Sequence, residues 1–112
     1  MMGTTPESAA TELAEAGADV IGANCGQGIA GFVSLCARLR SASEGRPIWI
    51  KANAGLPKVV GGQVSYTTTP EKFAGYIPAL VDAGASFVGG CCGTTPEFIR
   101  AVRSTLDSLQ HP

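Results

Sequence analysis

The sequence has little charge and no long apolar run, and each shortage excludes a class of function. Charged residues make up 15% of the 112 residues and the net charge is −1, so the chain lacks the basic face that nucleic-acid binding requires. Apolar runs such as residues 18–23 are far too short to cross a bilayer. The hydrophobic share of 45% predicts instead a globular chain with a single domain, residues 1–112.

The sequence also lacks the features of a secreted protein. Its N-terminus has no cationic segment followed by an apolar stretch, the pattern of a secretory signal. Its four cysteines are not spaced like a disulfide scaffold, because Cys91 and Cys92 are adjacent and such neighbours rarely bridge each other. We therefore expect a reducing cytoplasm and cysteines with a metal or reactive-thiol role. Cys36 is the exception, since it lies on the apolar face of a predicted helix and is expected in the core.

Helical and strand patterns alternate along the chain. Helices are predicted to begin at four places. Three begin with a Thr-Pro-Glu cap, at Thr5, Thr69 and Thr95, and the fourth begins at Ile29. Short apolar segments predict strands at three places, residues 18–23, 47–52 and 85–89. Residues 56–67 are predicted to form a long loop, because proline and glycine interrupt them. Pro78 is expected to kink the third helix.

This α-β-α-β-α-β-α order predicts an α/β fold with parallel strands. In a weak internal repeat, Cys25 and Cys92 each follow an Ala-Gly-Ala triplet at the same spacing, which indicates repeated βα units. A complete (β/α)₈ barrel needs roughly 250 residues. The chain is therefore predicted to be a partial TIM barrel, its last three βα units preceded by one helix. Another copy of the chain, or another chain, would complete the open sheet edge.

Sulfur and amide side chains follow all three predicted strands. Cys25 follows the first strand, Asn53 the second, and Cys91 and Cys92 the third. Function in parallel α/β folds lies at the carboxyl ends of the strands, and three thiolates with an open fourth position suit a catalytic zinc ion. Flanking glycines would let the two adjacent cysteines face one ion. Asn53 is predicted to offer its amide oxygen to the fourth position until a substrate displaces it.

Simpler interpretations of the same residues stay open. Three cysteines in a small α/β protein are often buried as small apolar side chains. A redox role for Cys91 and Cys92 is less favoured, since no Cys-x-x-Cys begins a helix. His111, at the tail, is not expected to bind metal, and Trp49, in a predicted strand, is expected in the core.

Three segments resemble the homocysteine S-methyltransferase family. They are Gly-Ala-Asn-Cys-Gly at 22–26, Asn-Ala-Gly-Leu-Pro at 53–57 and Gly-Gly-Cys-Cys-Gly-Thr-Thr-Pro at 89–96. The resemblance covers essentially the whole chain but only the C-terminal portion of the family domain. It implies a (β/α)₈ barrel in which Cys25, Cys91 and Cys92 match the ligands of a catalytic zinc. Zinc would then activate the homocysteine thiol for methyl transfer to form methionine.

The resemblance also implies what lies outside this sequence. The N-terminal strands of the barrel help to hold the amino acid end of homocysteine, so turnover is expected only when they are supplied. Cobalamin and methyltetrahydrofolate would be bound by other modules. The alternative is a non-catalytic zinc-binding half-barrel that forms homo-oligomers or complements a separate N-terminal half.

Overall fold

The predicted alternation of helices and strands is present, with a β-hairpin added. The computed structural model describes residues 4–26 and 28–110, without the side chain of Cys25; the prediction on His111 falls outside this range. The elements in chain order are α1 (Pro6–Glu15), β1 (Ile21–Cys25), a short 3₁₀ turn (Ile29–Gly31), α2 (Phe32–Ser41), β2 (Ile48–Ala52), β3 (Pro57–Val60), β4 (Gln63–Tyr66), α3 (Pro70–Ala74), α4 (Ile77–Asp82), β5 (Ala85–Gly90) and α5 (Pro96–Gln110). None of the helices within this described part is long and apolar enough to span a membrane.

The Thr-Pro-Glu segments begin helices as predicted. The Thr5 hydroxyl accepts a hydrogen bond from the backbone N–H of Ser8 at 3.1 Å. Thr69 accepts one in the same way from Lys72 at 3.2 Å. Each bond satisfies a donor that the first turn of a helix leaves unpaired. Before α5 the arrangement differs, because the Thr95 hydroxyl instead donates to the Glu97 carboxylate at 2.7 Å.

Three parallel strands form the main sheet in the order β1-β2-β5, which confirms the predicted α/β class. The first strand begins at Ile21 rather than at residue 18 and runs on to Cys25. Ala18 is not available to the sheet, because its N–H donates to Leu13 at the end of α1. The strand ladder places Ile21 opposite Ile48 and Cys25 opposite Ala52.

The helices cover one face of this sheet and form the core with it. Strand residues with less than 2% exposure point into the core, namely Ile21, Ile48, Ile50 and Ala52. Phe73 of α3 and Phe98 of α5 pack edge to face with ring centroids 5.4 Å apart. Cys36 is fully buried, which confirms its predicted core position. Burial raises the pKa of the Cys36 thiol, and the nearby Arg40 guanidinium offsets part of that shift.

The opposite face of the sheet, here called the bare face, carries Trp49, Lys51, Phe87 and Asn24. Trp49 is 46% exposed and Phe87 is 51% exposed, and their ring centroids lie 6.0 Å apart. The prediction that Trp49 lies in the core was therefore wrong. Residues alternate along β2 between the two faces, and no described element covers the face that Trp49 occupies.

Residues 56–67 do not form the predicted loop. Strands β3 and β4 pair antiparallel from Pro57 opposite Tyr66 to Val60 opposite Gln63. Gly61 and Gly62 join them with φ values of +58° and +79°, the conformation of a two-residue type I′ turn. The sequence analysis assigned these glycines to a loop, whereas they form the turn between two paired strands. Both strands lie almost wholly exposed, so no alternation of apolar and polar residues indicated them.

The third predicted helix is divided rather than kinked. It consists of α3 and α4, separated at Gly75 and Tyr76. Pro78 occupies the first turn of α4, where a missing backbone N–H costs nothing. The interruption lies just before Pro78, so a break between two helices takes the place of the predicted kink.

Candidate functional site

The carboxyl ends of β1, β2 and β5 meet at one edge of the sheet. The Cα atom of Cys25 is in register with that of Ala52, and Ala52 is in register with Gly90 on the other side. Ala52 thus separates the two cysteine-bearing strand ends, whose backbones lie two strand spacings, about 10 Å, apart. The part that the Cys25 side chain takes in the site stays a prediction, because the structure does not describe it.

A tight turn follows β5 and carries the other two cysteines. The Cys91 N–H donates to the Ala52 carbonyl at 2.9 Å, and the Cys92 carbonyl accepts from the Ala54 N–H at 2.9 Å. The Thr94 hydroxyl closes the turn by donating to the Cys91 carbonyl at 2.6 Å. Gly93 has φ +81°, a conformation that side chains disfavour. Cys91 is consequently held half-buried, while Cys92 is exposed.

Glycine flanks this turn for a steric reason as well. A Cβ atom at Gly90 would overlap the Thr94 side chain, and one at Gly93 would overlap the ring of Tyr66. Gly90 and Gly93 are thus required by the compact backbone around the two cysteines, whereas a Cβ atom at Gly89 would make only ordinary contacts. The turn also brings the Tyr66 ring, from the hairpin, against the residue that follows Cys92.

Asn53 connects the loops that follow β1 and β5. Its Oδ1 accepts from the backbone N–H of Cys92 at 2.9 Å, and its Nδ2 donates to the carbonyl of Gly26 at 2.9 Å. Gly26 is the residue directly after Cys25. A single amide group therefore holds the chain next to Cys25 and the chain at Cys92 at fixed separation.

Asn24 is a site residue that the sequence interpretation missed. Its Nδ2 lies 4.0 Å from the sulfur of Cys91, and it is in register with Lys51 of β2 on the bare face. An amide N–H at this distance makes a weak hydrogen bond to sulfur. The only sequence signal was its position directly before Cys25 in Asn-Cys-Gly.

The hairpin of β3 and β4, which the sequence did not predict, is anchored to the site. Beyond the Tyr66 contact with Gly93, the Thr68 N–H donates to the Ala54 carbonyl at 3.0 Å. Gly55, with φ +94°, lies against the hydroxyls of Thr67 and Thr68, where a Cβ atom would overlap them. The hairpin base therefore packs directly beside the loop that carries Asn53.

The donor set at this edge suits zinc. Cysteine sulfur is one of the ligands that zinc prefers, and a catalytic zinc takes three protein ligands. Two adjacent cysteines follow β5 here, and a third cysteine ends β1 on the other side of β2. Among the side chains that the structure describes, Cys25 not included, no three His, Cys, Asp or Glu residues lie close enough to hold an ion. The assignment of Cys25 as the third ligand of a zinc ion at this edge stays a prediction.

Comparison with known proteins relates the chain to enzymes of methyl transfer. The family model for homocysteine S-methyltransferase matches residues 1–106. Methionine synthase of Mycobacterium tuberculosis is 33% identical over 115 residues, which is 100% of this chain and 9% of that protein. Methionine synthase of Mycobacterium leprae is 33% identical over 95% of the chain and 9% of that protein. Selenocysteine methyltransferase of Astragalus bisulcatus is 48% identical over 44 residues, 39% of the chain and 13% of that protein. The chain thus spans less than a tenth of the methionine synthases it matches.

Proposed function

The chain belongs to the homocysteine S-methyltransferase family, and we propose that it is part of a zinc-dependent enzyme that methylates homocysteine to methionine. One observation carries this proposal. The strand ends that bear Cys25 and Cys91 lie on either side of Ala52, with Cys92 next in the chain. The fold class, the family and this edge of the sheet all agree with thiol chemistry at the carboxyl ends of the strands.

In this proposal Cys25, Cys91 and Cys92 hold the zinc ion. A thiol has a pKa near 8.5 and is mostly protonated at neutral pH; a bound zinc ion supplies the charge that stabilises it as the thiolate nucleophile. The protein contributes the positions of its own sulfur atoms. The turn closed by Thr94 and the amide bridge of Asn53 fix Cys91 and Cys92 before any substrate arrives.

Asn53 has two functions in this proposal. Its bonds to Cys92 and Gly26 position the cysteine loops. An amide oxygen has two lone pairs, and the bond from Cys92 uses one of them. The second would serve as the fourth ligand of a bound zinc ion when no thiol is present, the role that the sequence predicts for Asn53.

The rest of the barrel lies outside this chain in the proposal. The sheet is the last part of a (β/α)₈ barrel, and the bare face with Trp49 and Phe87 is the barrel interior. N-terminal strands supply the remainder of the homocysteine site, and turnover requires them. Cobalamin and methyltetrahydrofolate, as sources of the methyl group, are bound by other modules. A reducing cytoplasm suits the three thiols.

The test has two arms. Protein purified without chelator is analysed for zinc by mass spectrometry, and one ion per chain is expected. Methyl transfer to homocysteine is then assayed with the chain alone and with an added N-terminal half-barrel, and activity is expected only in the second case. A chain that holds no zinc in either form rules the proposal out.

A second candidate is a non-catalytic zinc-binding half-barrel. The exposure of Trp49 and Phe87 favours it, because apolar side chains clustered on an open sheet face are typical of an association surface. In this case the chain self-associates through the bare face or binds a separate N-terminal half, and zinc is structural. Stoichiometric zinc, a stable oligomer and no turnover with any added half would favour this candidate.

A further inference from the structure

Lys51 lies on the bare face, on the strand between the two that lead to the cysteines. The Nζ atom of Lys51 lies 5.1 Å from the centroid of the Trp49 ring, and the side chain is half-buried. Among the described residues, the ion pairs all involve arginine, and no carboxylate lies within ion-pair distance of Lys51. A partly desolvated cation of this kind is a favourable binding partner for an anion.

Lys51 lines a cleft of about 300 Å³ on that face. Its walls are mostly apolar, with one charged group and one amide group, and are formed by Val20, Gly22, Ala23, Asn24, Trp49 and Lys51. Small-molecule sites have this composition, in which apolar walls surround a few polar groups that fix orientation. The volume is at the lower end of the range for such sites, which suits a small amino acid rather than a nucleotide or a peptide.

Asn24 connects the cleft with Cys91. This residue lines the cleft and is in register with Lys51, and its Nδ2 lies 4.0 Å from the Cys91 sulfur. Lys51 precedes Ala52, the residue between the two cysteine-bearing strand ends, by one position, about 3.3 Å along the strand. An anion held at Lys51 and a thiol held at Cys91 are therefore close enough to belong to one short molecule.

We propose that Lys51 binds the carboxylate of the thiol amino acid substrate and thereby selects thiols that carry one. This assignment rests on the function proposed above. The ammonium group of Lys51, which lies over the Trp49 ring, meets the carboxylate in a charge-assisted hydrogen bond. The substrate then lies along Asn24 with its sulfur directed to the cysteine turn.

Binding of two thiols to the zinc-loaded chain, with the N-terminal half-barrel added, tests this assignment by isothermal titration calorimetry. The thiols are homocysteine and aminopropanethiol, which is homocysteine without its carboxylate. Lys51→Met keeps the apolar stem and removes the charge, so homocysteine affinity should fall about tenfold to a hundredfold. Lys51→Arg should restore most of it. Aminopropanethiol affinity should be equal in all three proteins, and Lys72→Met, at an exposed lysine on α3, should change neither.

The outcomes separate the two proposals. Equal homocysteine affinity in wild type and Lys51→Met overturns the assignment of Lys51 while the proposed function stands. An equal loss of both thiols in Lys51→Met also overturns it, because the charge would then act on the site as a whole. A wild-type chain that loads zinc but binds neither thiol even with the N-terminal half-barrel added overturns the proposed function together with this assignment. Circular dichroism melts of every variant exclude misfolding as the cause.

Discussion

The side chain of Asn53 and the backbone of Cys92 are joined by a 2.9 Å hydrogen bond in which the amide oxygen accepts from the Cys92 N–H. The two residues are 39 positions apart in the chain. The other end of the same amide bonds to Gly26, so one side chain determines how the loops bearing the cysteines stand relative to each other.

Asn53→Ala removes both of these hydrogen bonds. We expect the free energy of unfolding to fall by about 1–2 kcal/mol, since each bond contributes about 1 kcal/mol. Zinc affinity should fall about tenfold to a hundredfold, as for other groups that orient metal ligands. Urea denaturation and competitive zinc titration measure the two effects. Gln63→Ala, at an exposed amide in the hairpin, is the control and should change neither; an unaltered zinc affinity in Asn53→Ala would remove Asn53 from the site.

Serine substitution of the cysteines separates ligands from core. Cys25→Ser, Cys91→Ser and Cys92→Ser should each reduce bound zinc sharply, because each removes one of three proposed thiolate ligands. Cys36→Ala should keep its zinc and lose about 1 kcal/mol of stability, since the buried sulfur leaves a small cavity. Zinc is measured by mass spectrometry after gel filtration. The ligand assignment is wrong if all four variants hold equal amounts.

Cys36 should make stability depend on alkaline pH. Its pKa is raised by burial, so the folded protein keeps the thiol protonated at a pH where the unfolded chain, with a cysteine pKa near 8.5, has lost the proton. Stability from this group is full below that pH and is lost as the pH rises towards the folded-state pKa, by at most about 1.4 kcal/mol per pH unit. Urea denaturation in reductant at about pH 7 and pH 9.5 should show a smaller decrease for Cys36→Ala than for wild type; parallel decreases would contradict the prediction.

Gly93→Ala should destabilise the cysteine turn for two reasons. The φ of +81° disfavours a side chain, and the new Cβ would overlap the Tyr66 ring. We expect a loss of about 1–3 kcal/mol in thermal or urea denaturation. Gly61→Ala is the matched control, because φ is also positive there but nothing lies near the added Cβ, and it should cost less.

Substitution of Tyr66 measures how much of the stability lost in Gly93→Ala arises from overlap of the new Cβ atom with the Tyr66 ring. In the double variant Gly93→Ala with Tyr66→Ala the overlap is gone, so the two losses should not add. The double variant should be more stable than their sum by at least about 0.5 kcal/mol. Strict additivity would show that the hairpin does not pack on the cysteine turn in solution.

The sequence by itself determined the features that depend on near neighbours in the chain. Thr5 and Thr69 bond to N–H groups three residues away, Cys36 follows the apolar periodicity of its helix, and helices alternate with short apolar segments as in a parallel α/β fold. Family-specific segments around Cys25, Asn53 and Cys91 also indicated the chemistry. Each of these signals lies within a few consecutive residues.

Only the tertiary structure decided the contacts between distant segments. Asn24 contacts the Cys91 sulfur, 67 positions away in the chain, and Tyr66 packs on Gly93. Trp49 lies on the exposed face of β2. The alternation of residues along β2 does not indicate which of its two faces the helices cover. The hairpin formed in a segment that lacks the alternation of buried and exposed residues by which a strand is predicted. These contacts depend on how distant strands, helices and loops pack against one another. The local propensity of a segment for helix or strand contains no information about that packing.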